Sequence, residues 1–163
     1  MKKLLFCCTI LITAFFEVSL LGYFTIFNVK PDLLLILVVM AGASFDLRTS
    51  IGLAFLAGLC RDIAGVGSFG LYTFLFSIWG FLVHRLSRQA SFDNPLVFVA
   101  GVYLVNFLQN IILRLSLMHS SDSIRLGIFL RLLFIQSFYT AAVSFFVLIA
   151  IERIRRYRSQ RKI

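Results

Sequence analysis

The sequence predicts an all-α membrane protein, a single integral domain over residues 1–163 built as a bundle of six transmembrane helices. Three observations carry that expectation. Hydrophobic residues make up 60% of the chain and charged residues only 14%, and the mean hydropathy of +0.96 lies far above that of a soluble globular domain. The apolar residues fall in runs broken by short polar segments, the longest of them exceeding the ~20 residues that cross a hydrocarbon core. The sixteen Lys and Arg residues are unevenly shared among the breaks, as they are in the flanks of membrane helices.

The first span is expected over residues 4–27. Met1-Lys2-Lys3 followed by an apolar run has the look of a signal peptide, but this run is too long for one and no A-x-A cleavage site follows it. Glu17 sits near the middle of the span, so it must face protein or be neutral. Asn28-Val29-Lys30-Pro31-Asp32 breaks the helix. Pro31 suits the first turn of the next helix, where its missing N–H is not needed, and Asp32 in the same turn complements the helix dipole.

The second and third spans, 31–45 and 49–62, are short. They cross only if their polar flanks are included or if neighbouring helices cover their ends, and paired short spans interrupted by glycine also occur in transporter cores. The fragments AGASFD (41–46) and AGLCRD (57–62) share one pattern but are too short to establish a repeat.

The third span carries the most organised stretch of the chain. Ser50, Ala54 and Gly58 recur every four residues, which puts them on one helix face as a nearly side-chain-free stripe. Such stripes let helix backbones approach closely in a membrane. Asp62 continues the row, and Gly65, Gly67 and Gly70 then turn the chain into the fourth span, 70–84, where Tyr72 and Trp79 are available as interfacial anchors. Two readings follow: a tight hairpin whose Asp62 caps or pairs near its end, or a polar site or docking surface built beside that hairpin.

The fifth span covers 95–113 and the sixth 126–151, followed by a basic tail over 152–163. With both termini cytoplasmic, Lys2, Lys3, Arg48, Arg85, Arg88 and the six basic residues of the tail lie inside. Lys30, Arg61, Arg114 and Arg125 lie outside, and the asymmetry satisfies the positive-inside rule. That topology puts Asp32, Asp62, Asn106, Asn110 and Arg131 in the outer half, close enough in depth to form a polar cluster. Arg131 either snorkels to the surface or pairs with Asp62 or Asp32. The tail reads as a topology anchor touching anionic lipid, each cation near such a leaflet being worth about 1 kcal/mol, or as a site for a cytoplasmic protein.

The net charge of +9 does not point to nucleic acid, because much of it is that tail. Cys7, Cys8 and Cys60 sit in apolar runs without metal-ligand spacing. His84 and His119 have no Cys or carboxylate cluster beside them, and no zinc motif, nucleophile elbow or phosphate-binding loop is present. No cofactor, metal or catalytic residue is therefore assigned.

Together these residues resemble the MreD family of bacterial rod-shape-determining membrane proteins. The resemblance covers nearly the whole chain. It rests on its length and first span, Pro31-Asp32 opening a Leu-rich short helix, and Gly52-Leu53 followed by Gly58-Leu59 and Asp62. Gly70 opening the next span and the basic C-terminus complete it. Phe69 stands where the family usually has leucine, and Leu53 where an aromatic is common. The resemblance implies a non-enzymatic scaffold of the wall-elongation (rod) complex in the bacterial inner membrane, one that regulates peptidoglycan synthesis and so cell shape. The partners it implies are MreC, bound directly, with MreB, RodA and a class B penicillin-binding protein in the same complex. It also implies a fold similar to the substrate-binding subunits of energy-coupling-factor importers, which leaves a small-molecule binding subunit of a transporter as the alternative. Pro31, Asp32, Ser50, Ala54, Gly58, Asp62 and Gly70 are the packing or partner-interface candidates, and Asn106, Asn110 and Arg131 the polar-cluster candidates.

The topology is directly testable. A reporter active only in the cytoplasm, fused after Ile163, should be active; activity only from a reporter that works outside the membrane would overturn the six-span arrangement.

Overall fold

The computed structural model describes residues 2–19, 30–65, 70–89, 94–118 and 126–160, and over these every regular element is an α-helix. In chain order they are α1 (Lys2–Ser19), α2 (Leu33–Ser44), α3 (Leu47–Ala64), α4 (Leu71–Ser87), α5 (Pro95–Met118) and α6 (Leu126–Gln160). Local chemistry sets several of the starts. Asp32 caps α2, its Oδ1 accepting from the Leu35 N–H at 3.0 Å, so the helix begins just after Pro31-Asp32 and not on it. Pro95 opens α5, where a missing N–H is harmless, and the Asn94 side chain accepts from the Leu96 N–H at 3.1 Å.

α2 is the centre of the bundle. Leu34 to Val39, Ala41 and Gly42 are all buried, the signature of a helix apolar on every side because protein surrounds it. It touches each of the other five helices. α3 and α4 form a hairpin on one side, α1 lies against α3 and α2, and the α5–α6 hairpin leans on α2 with α5 also reaching α4.

The close-packing stripe of α3 faces α4. A Cβ on Gly58 would fall 2.5 Å from the Thr73 Cα and 2.7 Å from the Tyr72 carbonyl oxygen, so the two backbones touch there. One end of the row repeats the motif from the other helix: Ser50 Oγ donates to the Gly80 carbonyl at 3.1 Å, and a Cβ on Gly80 would meet that of Ala54 at 2.8 Å. Gly42, the glycine of the other A-G-x-x-x-D fragment, also packs on α4, where its Cβ would lie 2.8 Å from Val83 Cγ1.

The outside of the bundle is apolar as well. Phe15, Phe74, Leu96, Phe138 and Phe146 are each at least two-thirds exposed, a surface that suits lipid and that a soluble monomer rarely shows. Among the described residues two stretches are long and apolar enough to cross a bilayer unaided, Pro95–Leu113 and Leu133–Ala150, while Leu33–Ser44 is apolar but shorter. At 1.5 Å per residue α2 is roughly 18 Å long, against a core of about 30 Å. The part of the first expected span beyond Ser19, residues 20–27, lies outside the described residues. So do Gly67 and the rest of 66–69. α6 runs on as helix to Gln160, past the expected end of the sixth span at 151, because the Arg-rich segment that follows holds no Gly or Pro and Arg is a good helix former. Trp79 is not an interfacial anchor. It is buried on the α4 face that also carries Leu75, Phe76, Gly80 and Val83.

Gly58 and Gly52 give a matched pair of substitutions. Gly58→Ala pushes a methyl into the α4 backbone and should cost ~1–3 kcal/mol or more. Gly52→Ala, whose Cβ meets nothing within 4 Å, should be neutral or raise stability by up to ~1 kcal/mol through helix propensity. Thermal midpoints of the two purified variants in detergent decide it; indistinguishable midpoints would sink the close-packing account.

Candidate functional site

Where the α3–α4 row ends, Asp62 turns its carboxylate onto the start of α4. Oδ1 accepts from the Tyr72 N–H at 3.1 Å, and Oδ2 accepts from the Thr73 N–H at 2.9 Å and the Thr73 hydroxyl at 2.5 Å. Gly70, at φ 97°, is the left-handed residue that turns the chain into α4, and it offers no side-chain cap. Asp62 therefore supplies from α3 the capping oxygen that the entry to α4 lacks, and its charge complements the positive end of that helix.

Arg61, the neighbour of Asp62, lies about 100° further round α3 and reaches toward α1 and α2. Its guanidinium pairs with the Glu17 carboxylate of α1, stands 3.9 Å from Asp32 Oδ1 and lies 5.4 Å from the centre of the Tyr72 ring. Glu17 is 8% exposed, and the contact is charge on charge, since neither carboxylate oxygen has a well-formed hydrogen bond. Arg61 is thus not the free surface cation that a charge count takes it for; it holds two buried carboxylates.

Asp32 carries the cluster to the remaining helices. Besides capping α2 and facing Arg61, it accepts through Oδ2 from Gln109 Nε2 of α5 at 3.2 Å. Its backbone N–H donates to the Thr140 hydroxyl of α6 at 3.2 Å. Asp32 is 2% exposed, Gln109 2% and Thr140 0%, so these bonds are shielded from water and stronger for it. Glu17, Asp32, Arg61, Tyr72, Gln109 and Thr140 each come from a different helix.

Asn106 and Asn110 make no hydrogen bond to the carboxylates they are expected to join. Asn110 Nδ2 donates to Asn106 Oδ1 at 2.6 Å, so these two bond to each other along α5 and not to Asp62. The Asn106 Nδ2 and Gln109 Oε1 atoms are buried without a hydrogen-bond partner. Arg131 lies in α6, but its side chain is outside the described residues. Pro31 is buried ahead of the Asp32 cap, and Ser50, Ala54 and Gly58 belong to the hairpin seam. Sequence reasoning places Gln109 beside Asn106 and Asn110 in the outer half of the fifth span but leaves it out of the cluster, and it misses Thr140, Thr73 and the Glu17–Arg61 pair. Gln109 was within reach, since it shares one helix face with Asn106 and Asn110. Among the described residues no group of three His, Cys, Asp or Glu side chains could hold a metal. What the arrangement does chemically is fasten helices: carboxylates meet helix N–H groups, a guanidinium and an amide.

A family model described as rod shape-determining protein MreD matches residues 1–154 of the chain. No curated protein and no solved structure gives a match.

The ion pair makes a quantitative demand. Arg61→Gln strands Glu17 and Asp32 as uncompensated buried charge and should cost ~3–5 kcal/mol. Glu17→Gln in the same chain should return part of it, with a coupling of at least ~0.5 kcal/mol between the two sites. Denaturation of the wild type, both singles and the double in mild detergent measures this, and strictly additive losses would show that the two residues do not interact.

Proposed function

The chain belongs to the MreD family of rod shape-determining membrane proteins, and from that membership we propose that it is a non-enzymatic scaffold of the wall-elongation complex. The observation that carries the reading is the family match over residues 1–154. The protein crosses the inner membrane six times with both termini in the cytoplasm, binds MreC directly, and sits in one complex with MreB, RodA and a class B penicillin-binding protein. In that role it helps maintain cell shape by regulating where peptidoglycan is made.

The geometry supports a scaffold. The charged groups gathered on α1 to α4, Glu17, Asp32, Arg61 and Asp62, are engaged with helix ends and with one another, which stiffens the bundle and leaves its long apolar faces for lipid and partner helices. The basic tail, carried on the helical end of α6, adds contact with anionic lipid at the cytoplasmic surface. A second reading, a small-molecule binding subunit of a transporter, draws on the unpartnered buried amide atoms of Asn106 and Gln109.

Depletion in a rod-shaped bacterium that encodes the protein separates the two. Loss of rod shape, with cells rounding over a few generations, and co-purification of MreC with the tagged protein are the expected results. Unchanged shape with loss of uptake of one small molecule would replace the scaffold by the transporter subunit.

A further inference from the structure

The six helices are not uniformly joined. α1 to α4 pack on one another as a unit and α5 with α6 as a second, and the second touches the first mainly through α2. Among the described residues, both side-chain hydrogen bonds between the two units involve Asp32: its Oδ2 to Gln109 Nε2 at 3.2 Å and its N–H to Thr140 Oγ1 at 3.2 Å.

The buried face of α6 adds no further side-chain hydrogen bond to the first unit among the described residues. Ser137, Thr140, Ala141 and Ser144 are all buried, but the Ser137 and Ser144 hydroxyls donate back to their own helix, to the carbonyls of Leu133 at 2.8 Å and Ala141 at 2.7 Å. Apolar contact also joins the two units, Phe98, Val102 and Val105 of α5 lying in the same core as α2, but such contact is non-directional and does not by itself fix one helix against another. On the α5 side the interior amides are half used: Asn106 Nδ2 and Gln109 Oε1, on residues 1% and 2% exposed, have no partner. The docked arrangement therefore does not satisfy every polar group that it buries, and in a membrane interior such groups are costly.

We propose that the α5–α6 hairpin is a separately moving unit, latched to the α1–α4 unit by Asp32 and sliding along α2 when the latch opens. Small sliding of packed helices is an established kind of transition. Asp32 suits the role because it is itself fixed from the other side: its Oδ1 caps α2 and faces Arg61, which pairs with Glu17. Opening the two bonds to Gln109 and Thr140 leaves the α1–α4 side of the cluster intact. The inference does not depend on the proposed function; it concerns how this bundle moves, whatever it binds.

Spin labels test it on the full chain in lipid nanodiscs, with Cys7, Cys8 and Cys60 replaced by alanine. Labels at Leu82 of α4 and Phe146 of α6, both exposed, report the distance between the units. Pairs at Phe55 and Leu82, and at Leu104 and Phe138, report distances within each. Gln109→Leu with Thr140→Val removes both bonds and keeps the Asp32 cap on α2. The expected result is a second inter-unit distance whose population rises roughly five- to tenfold over wild type, the size that two inter-helix hydrogen bonds in a bilayer support, with both internal distances unchanged. Should the double variant not fold, Gln109→Ala alone carries the test with a smaller rise. An inter-unit distribution that superimposes on wild type, or broadening of all three pairs together, overturns the latch.

Discussion

The contact on which the rest of this bundle depends is the meeting of the α3 and α4 backbones at Gly58. In lipid no hydrophobic effect pulls helices together, so close approach of small residues has to supply the attraction. Because a Cβ at Gly58 would overlap Thr73 Cα, the two helices can be this near only with glycine there. Asp62, one turn on, is then close enough to cap α4. Capping fixes the rotation of α3, and the rotation decides where Arg61 goes: toward Glu17 and Asp32, over the ring of Tyr72. A packing contact thus becomes an electrostatic one within four residues of chain.

The charges gathered there would be expensive singly. A buried carboxylate without partners costs several kcal/mol, and even a paired one recovers that only with good geometry and further hydrogen bonds. The bundle meets this by giving each group more than one duty. Asp32 caps a helix, faces a guanidinium and accepts from an amide; Asp62 caps a helix and binds a hydroxyl. Arg61 serves two carboxylates. Removing any one group therefore affects several helices, which is why such clusters couple strongly in double substitutions.

Some of this was legible in the sequence and some was not, for identifiable reasons. The seam of Ser50, Ala54, Gly58 and Asp62 was readable because small residues at four-residue spacing have one physical use on a membrane helix. The partner of Asp62 was unreadable because it is chiefly the backbone of α4, and N–H groups carry no residue signature. Counting cations by segment puts Arg61 among the outside charges at the end of the third span, because such a count treats every cation as a surface charge; its pairing with Glu17 is a long-range contact that periodicity cannot show. Residue type suggests an anchor at Trp79, although its spacing with Leu75, Phe76 and Val83 puts it on the buried face. The family, by contrast, was visible in a few motifs and their order, and the match over residues 1–154 bears that resemblance out.

Helix length explains why acidic residues stand at these places at all. Gln109 lies four residues before the end of the apolar stretch at Leu113. At 1.5 Å per residue the Asp32 cap that bonds to Gln109 is therefore about 6 Å inside the apolar stretch of α5. A helix that starts inside an apolar slab has up to four N–H groups with no carbonyl to receive them and no bulk water to take its place. α2 is such a helix, and Asp62 caps α4 beside it, next to an arginine that reaches Asp32. Carboxylates at these two starts supply the acceptors that the backbone cannot. Their negative charges in turn call for Arg61 at the same depth. The polar cluster is thus the counterpart of having short helices in a thick slab: lengthening α2 to reach the surface would remove the need for it, and shortening the helices without it would leave their ends bare in hydrocarbon.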